Sequence, residues 1–202
     1  MTYSKCLKGP ARSALLLGLA IFTAPLWAAT ETPNNQDIVV NVEKNGPEIT
    51  VDIDCPVTAP LPVVWQVLTD YDHMAGFISN LDISRVQARD KTRLEVYQKG
   101  KAKRGPLSFA FENVRAIELR PEREIHSRLI SGDMKASEFT TRIVDDGSKV
   151  IHISNSGRYT PNMWVPPIIG PALIAAEMRK QFGEIRAEIL RRSANQTQSS
   201  SQ

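Results

Sequence analysis

The chain has 202 residues, of which 42% are hydrophobic and 23% charged, a composition typical of an ordinary globular protein of about one domain. It excludes collagen-like, coiled-coil and wholly disordered chains. The net charge of +3 belongs to Lys5, Lys8 and Arg12, because the remaining 22 basic residues are balanced by 22 acidic ones. A neutral domain gives no electrostatic reason to expect nucleic acid as a partner.

The first 28 residues have the pattern of a secretory signal peptide. A basic stretch that ends at Arg12 precedes an apolar run from Ala14 to Ala24, and Pro25 and small residues follow. The apolar run is about half of the roughly 20 residues that cross a bilayer, which favours cleavage near Ala28 over a retained anchor. In a Gram-negative bacterium the mature protein is then expected to be soluble and periplasmic.

Behind this signal the sequence predicts a single domain. Residues 29–37 form a flexible leader, residues 38–192 the domain, and residues 193–202 a disordered polar tail. Once the signal is removed, Cys55 is the only cysteine, so no intrachain disulfide can form. Its place in an alternating apolar run predicts a buried residue on a strand.

The predicted elements begin with a hairpin and two small helices. Strands from Ile38 to Val42 and from Ile49 to Val57 flank the dipeptide Asn45-Gly46, which suits a tight turn. A helix is predicted from Leu61 to Thr69, and a second short helix through Met74 to Phe77.

The hydrophobic period then changes to two, which predicts strands. Their predicted bounds are Leu81 to Ala88, Thr92 to Lys101, Leu107 to Leu119, Glu124 to Ile130, Lys135 to Asp145 and Lys149 to Tyr159. The short turns between them predict an antiparallel meander. One face is apolar, while the opposite positions, among them Glu112, Glu138 and Arg142, are expected to face water.

The last predicted element is a long amphipathic helix from Pro171 to Arg192. It carries one apolar stripe, formed by Ile174, Met178, Phe182, Ile185 and Ile189. A helix of about 22 residues is about 33 Å long, enough to cross a curved sheet diagonally. The predicted fold class is therefore α+β: a curved antiparallel sheet wrapped around a long C-terminal helix, with two short helices after the first strands.

This order of elements, together with three segments, resembles the START-like (SRPBCC) superfamily, in its polyketide cyclase/dehydrase and coenzyme Q-binding branch. The segments are VWQVLTDYDHMAGFI from Val64, ISGDMKASEF from Ile130, and the VPP that leads into the last helix. The resemblance implies a helix-grip fold whose apolar cavity, between sheet and C-terminal helix, binds lipids, quinones or polyketides. Ligand identity does not transfer with a fold.

A ligand in such a cavity would contact side chains of the inner strand face and of the last helix. The predicted ligand-binding residues are Phe77, Phe109, Phe111, Phe139, Thr141, Ile153, Met163, Trp164, Ile174, Met178 and Phe182. The inward strand positions also include Asn113, Ser127 and Ser137. So many polar groups favour an open pocket over a completely filled core.

The loop from Thr160 to Gly170 is rich in proline and in large apolar residues. It is interpreted as a gate to the pocket, as a transient contact with a membrane surface, or as a cover over the open end of the fold. A Trp and a few aliphatic side chains would give weak, reversible membrane contact, since each buried methylene contributes about 0.8 kcal/mol.

An enzyme is the weaker alternative, and no catalytic residue is assigned. His73, His126 and His152 have no zinc-site spacing, so no metal is expected, and no cofactor is implied. His126 and His152 could serve as an acid–base pair for a cyclase or dehydratase, but their phase along the strands predicts that they face solvent. A non-binding scaffold that docks another envelope protein is the third hypothesis. Ligand identity and oligomeric state stay open.

Overall fold

The computed structural model describes residues 35–104, 107–167 and 169–199, without the side chains at 102–104 and 107–109. The predicted signal peptide, residues 29–34 of the predicted leader and the side chain of Phe109 lie outside the described residues. Among the helices that are described, none combines the length and the apolar character needed to cross a bilayer.

Eight strands and two α-helices are found in this part of the chain, together with 3-10 turns at Asn35–Asp37 and Tyr71–Gly76. The helices are α1 (Leu61–Leu68) and α2 (Gly170–Ser199). The strands are β1 (Val39–Asn45), β2 (Glu48–Val57), β3 (Leu81–Asp90), β4 (Arg93–Arg104), β5 (Leu107–Arg120), β6 (Glu124–Gly132), β7 (Met134–Asp145) and β8 (Ile151–Pro161).

The strands form one antiparallel sheet in the order β1-β2-β8-β7-β6-β5-β4-β3. Consecutive strands from β3 to β8 are neighbours, which confirms the predicted meander. The N-terminal hairpin joins it through β2, whose Cys55 lies opposite Ile153 of β8. Gly46 has a φ of +60°, the left-handed backbone that the Asn-Gly turn predicts. The helix-grip α+β fold is confirmed.

Burial alternates along the strands and separates an inner from an outer face of the sheet. In β5, Ile117 is buried whereas Glu112 and Glu118 are exposed. The register then places Ser127 and Phe139 on the same inner face as Ile117. The sequence therefore predicted correctly which strand positions point inward.

Helix α2 is longer than predicted. It continues through Ser199, so residues 193–199 of the predicted tail belong to the helix. The apolar stripe ends at Ile189, but the following residues contain no glycine or proline that would break a helix. The Thr197 hydroxyl also donates a hydrogen bond to the Ser193 carbonyl one turn earlier.

The end of the predicted leader is ordered, because Asn35–Asp37 packs on α2. Arg186 donates hydrogen bonds to Asp37 Oδ2 at 2.7 Å and to Asn35 Oδ1 at 2.9 Å. A Cβ on Gly183 would lie 2.0 Å from the Asn35 side chain, so only glycine leaves room for this contact. The last three residues of the predicted leader therefore contact α2, and the flexibility of the leader stays a prediction.

Candidate functional site

Part of the inner face of the sheet is only partly covered by α2. The helix packs against β1, β2 and α1, on one side of the sheet. Toward the other side, large side chains of the inner face keep some exposure to solvent. We call this set of partly exposed inner-face and helix residues the cleft; its members are Phe111, Arg115, Phe139, Thr141, Asn155, Tyr159, Ile174 and Met178.

The cleft lies toward one end of the strands. The register pairs Phe139 with Gly157 and Ser137 with Tyr159 near the end where β8 leads into α2. Phe139 and Tyr159 are partly exposed there. At the opposite end Ile153 is completely buried. On β7 and β8 the inner face is therefore more exposed toward the Tyr159 end, while Ile49 of β2, opposite Tyr159, is buried.

Gly157 leaves room for the Phe139 ring in the cleft. A Cβ at this position would lie 2.4 Å from Phe139 Cδ1 and 2.3 Å from the Glu138 carbonyl oxygen. The missing side chain lets the ring lie across β8, where Tyr159 is a tilted aromatic neighbour at 6.3 Å between centroids. Burial raises the pKa of Tyr159 to about 12, so its hydroxyl stays protonated.

A cation lies among these apolar side chains. Arg115 of β5 reaches across β6 toward β7, donating from Nε to Ser127 Oγ at 2.6 Å and from Nη1 to Ser137 Oγ at 3.1 Å. A third bond runs from Nη2 to the Ser127 carbonyl at 3.4 Å. The guanidinium carbon lies 6.0 Å from the centroid of the Phe139 ring. Burial lowers the pKa of Arg115, and Tyr71 acts weakly against this shift.

Two buried amides lie at the same end of the sheet. The side-chain oxygens of Asn80 and Asn113 have no hydrogen-bond partner among the described residues. Asn80 donates to Glu177 Oε1 of α2 at 3.1 Å. Asn113 is on β5, two residues before Arg115 and on the same face, and is 5% exposed. A buried oxygen without a partner is costly, so each of these two oxygens can accept a further hydrogen bond.

The structure brings together only some of the predicted ligand-binding residues. Phe111, Phe139, Thr141, Ile174 and Met178 belong to the cleft. Ile153 and Phe182 face inward but are buried in the packed core, and Phe77 lies under the Arg192 guanidinium at 5.9 Å.

Met163 and Trp164 lie on the surface. They are 49% and 77% exposed on the loop between β8 and α2, whereas Val165 of the same loop packs against the core. Ile168 of this loop is outside the described residues. The side chains of Met163 and Trp164 are therefore largely in solvent, and their contact with a ligand stays a prediction.

The two histidines that were weighed as an acid–base pair lie on the outer face of the sheet. His126 Nε2 is 2.9 Å from Glu138 Oε1, and His152 Nδ1 is 2.9 Å from Asp54 Oδ2. Their predicted orientation toward solvent is confirmed, and neither ring reaches the cleft. Within residues 35–199, as far as they are described, no cluster of His, Cys, Asp or Glu is arranged to hold a metal ion.

Two hollows on the surface have a different character. One, of about 380 Å³, lies on the outer face between charged side chains such as Glu48, Glu138 and Arg158. The other, of about 400 Å³, lies beside the start of α1, between Leu61 and Lys149. Both are open to solvent, and the second is lined by Asp145 of β7, Ile151 of β8 and Ser193 of α2. The first is lined mainly by charged and polar side chains, unlike the apolar sites that bind hydrophobic ligands.

A model of the family described as polyketide cyclase / dehydrase and lipid transport matches residues 57–170, more than half of the chain. The chain belongs to this family. The match runs from the end of β2 to the first residue of α2 and thus includes every strand that forms the cleft. It confirms the START-like resemblance of the sequence. A search of curated proteins found no match.

Solved structures share the fold of this family member at low sequence identity. A STAR-related lipid transfer protein from Xanthomonas axonopodis is 11% identical with a TM-score of 0.64, covering 76% of this chain and 94% of its own. The Zhui aromatase/cyclase from Streptomyces is 14% identical with a TM-score of 0.60, covering 72% and 95%. A human lipid transfer and protein localization domain is 13% identical with a TM-score of 0.56, covering 75% and 88%. At these identities the likeness establishes the fold alone.

Arg115 belongs to the cleft, but it was not among the ligand-binding residues predicted from the sequence. The signal that could have found it is its position: Asn113, Arg115 and Ile117 share one strand face, and Ile117 is apolar. A charged residue on the inward phase of a strand is unusual enough to indicate a functional role.

Proposed function

We propose that this protein binds a hydrophobic small molecule, lipid-like or polyketide-like, in the cleft. The observation that carries the proposal is the partial exposure of large apolar side chains on the inner face of the sheet and on α2. A core filled by its own side chains would bury such residues, because protein interiors are close-packed. Apolar surface that is concave and left open is typical of a ligand site.

Membership of the family and the described functions of the structural neighbours support this choice of ligand class. The neighbours include a lipid transfer protein and an aromatase/cyclase, two proteins whose names refer to largely apolar molecules. The cleft matches such ligands in being mainly aromatic and aliphatic, with polar groups confined to a few positions. Whether the ligand is a quinone, an acyl lipid or a polyketide is open.

The experiment is extraction of small molecules that co-purify with the mature chain, residues 29–202, from bacterial cells. Organic extracts are compared by mass spectrometry, and binding of the neutral dye Nile red is measured on the same protein. We expect one class of hydrophobic molecule to be enriched over a control protein. A protein that releases none and does not bind the dye would contradict the proposal.

A matched pair of variants locates the site. Ile174→Trp adds bulk at the open part of the helix stripe and is expected to lower dye binding at least about tenfold by filling the cleft. Ala172→Trp introduces the same side chain at an exposed position of the same helix turn and is expected to bind like the wild type. Equal effects of both substitutions would place the ligand elsewhere.

We also propose that the loop residues Met163 and Trp164 touch a membrane surface when ligand enters or leaves. Their exposure beside the start of α2 supports this, since Trp favours the membrane–water interface. Sedimentation with phosphatidylglycerol-containing vesicles is expected to carry down a fraction of the wild-type protein and less of Trp164→Ala. A variant that sediments like the wild type would refute this role.

The proposed location is the periplasm, after export and removal of the first 28 residues. The support is the basic, apolar and small-residue pattern of that segment. Cell fractionation with intact-mass measurement tests it: the protein should appear in the periplasmic fraction with a mass that corresponds to a start at about Ala29. Full-length protein in the cytoplasmic fraction would contradict it.

A further inference from the structure

Arg115 is a cation without a charged partner. Among the residues that form the cleft it is the one charged residue, and the other polar groups in or next to it are neutral, namely Gln98, Asn113, Ser127, Ser137, Thr141, Asn155 and Tyr159. The structure gives it three hydrogen bonds, all to serine oxygens, and no ion pair with a described carboxylate. A guanidinium removed from bulk water is usually paired, because an isolated buried charge is costly.

The hydrogen bonds leave part of the guanidinium free to bind. Its five N–H donors comprise one on Nε and two on each terminal nitrogen. Nε, Nη1 and Nη2 each use one of them, so one donor on Nη1 and one on Nη2 have no partner among the described residues. Ser137, which is 4% exposed, and Ser127 fix the orientation of the group.

We propose that Arg115 binds the carboxylate of an amphipathic acid whose apolar part lies in the rest of the cleft. This assignment rests on the proposed function and specifies its ligand class. Two N–H donors on the two terminal nitrogens match the two oxygens of a carboxylate, the bidentate pairing that arginine favours. Phe111, Phe139, Ile174 and Met178 supply the apolar surface beside it.

The charge balance favours a carboxylate over a phosphate ester. A carboxylate carries one negative charge, which one guanidinium neutralises. A phosphate monoester carries between one and two, and among the residues that form the cleft there is no second cation to balance it.

Asn113 independently indicates that the polar atoms of the ligand lie near Arg115. Its side-chain oxygen is buried and unpartnered on the same strand face as Arg115. Such an acceptor can receive a hydrogen bond from a hydroxyl of the ligand near its acid group. The polar end of the ligand is therefore assigned to the Asn113–Arg115 part of β5.

The test compares three probes on the wild-type mature chain near neutral pH: dodecanoic acid, its methyl ester and dodecyl phosphate, each displacing Nile red. The acid and the ester share one hydrocarbon chain, so they differ in the group that would contact Arg115. We expect the acid to bind at least about tenfold more tightly than the ester, the range that hydrogen bonds to a charged group provide. This comparison needs no variant.

Substitutions then assign the preference to a residue. Arg115→Met removes the charge while keeping a long side chain, and is expected to make acid and ester bind equally. The control is Arg142→Met, which removes an arginine from the outer face, where it contacts Glu124, and should keep the preference. Ser137→Ala removes one support of the guanidinium and is expected to lower the preference several-fold.

The outcomes separate this assignment from the proposed function. Nile red binding together with equal affinity for acid and ester would overturn the assignment alone. Tighter binding of dodecyl phosphate than of the acid would also overturn it, because the phosphate would then be the preferred head group. A preference that survives in Arg115→Met has the same consequence. Failure to bind Nile red and all three probes would overturn the proposed function and this assignment together.

Discussion

The two halves of α2 carry one continuous apolar stripe, yet they meet different surroundings. In the C-terminal half of that stripe, Phe182, Ile185 and Ile189 are buried in the core. In the N-terminal half, Ile174 and Met178 belong to the same stripe but remain partly exposed. The difference arises from what lies opposite each half, and it shows that helical periodicity alone does not distinguish a packed face from a binding surface.

The packed half is also fixed by a network of charges. Glu188 accepts hydrogen bonds from Arg191 at 2.7 Å and from Arg192 at 2.6 Å, and Arg192 also donates to Asp70 at 2.7 Å. These contacts join the end of α2 to the segment that follows α1. The open half has no comparable network among the described residues: Glu177 has one hydrogen bond, to Asn80.

The largest predicted effect comes from shortening the same side chain in each half. Ile189→Ala is expected to lower the free energy of unfolding by about 3 to 4 kcal/mol, because it leaves a cavity in a core where Ile189 is 0% exposed. Ile174→Ala should cost about 1 kcal/mol, since solvent already reaches that position. Urea denaturation measures both. Equal losses would mean that the two halves are packed alike.

A smaller effect is predicted at the floor of the cleft. Gly157→Ala places a Cβ against the Phe139 ring and the Glu138 carbonyl, so the backbone must shift, at a cost of about 1 to 3 kcal/mol. Gly76→Ala is the control, because a Cβ there meets nothing within 4 Å. Thermal denaturation should separate the two variants. A stable Gly157→Ala protein would show that Phe139 can move freely and that the cleft is not preformed.

The charge network around Glu188 predicts that the stability of the packed half of α2 falls at acidic pH. Hydrogen bonds from Arg191 and Arg192 lower the pKa of Glu188 from 4.5 to about 2. A lowered folded-state pKa contributes stability that is complete above pH 4.5 and is lost as the pH falls toward about 2. With solvent screening this amounts to about 1 kcal/mol, or about 2 to 4 °C in melting temperature.

Glu188→Gln tests the assignment of this acid sensitivity. The variant should already be less stable near neutral pH, and it should lose less further stability than the wild type on acidification from pH 4.5 toward about 2. Melting curves at several pH values measure the difference. Parallel curves for both proteins would show that Glu188 does not contribute to the pH dependence.

The smallest effect on stability is expected in the apolar loop. Trp164→Ala should change the free energy of unfolding by less than about 0.5 kcal/mol, because the side chain is 77% exposed. Val165→Ala, one residue later, is expected to cost about 1 kcal/mol because Val165 packs against the core. If Trp164→Ala were the more damaging change, the loop would serve to cover the fold.

The fold could be predicted from sequence because its signals are local. Alternation defined the strands, Asn45-Gly46 the hairpin turn and the stripe from Ile174 to Ile189 the last helix. Depth along a strand is not encoded in this way: Phe139 and Ile153 have the same inward phase, yet one lines the cleft and the other is buried in the core. That difference depends on where α2 crosses the sheet, which is a tertiary property.

The site was predicted less completely for the same reason. Ser127 and Ser137 were recognised as inward polar residues, but their partner Arg115 was not, since pairing across β6 depends on the register of three strands. Trp164 was assigned to the ligand because of its apolar side chain, and the backbone of the loop leaves it in solvent. Local patterns predict the face on which a residue lies and not its neighbours.

The contact of Asn35–Asp37 with α2 has a consequence for the order of folding. Arg186 is 149 residues away from Asp37 along the chain, and β2 completes its pairing only with β8. Contacts between such distant segments form late, because a long loop must close first. A growing chain therefore cannot complete the contacts around its first hairpin until β8 and its last helix have been synthesised.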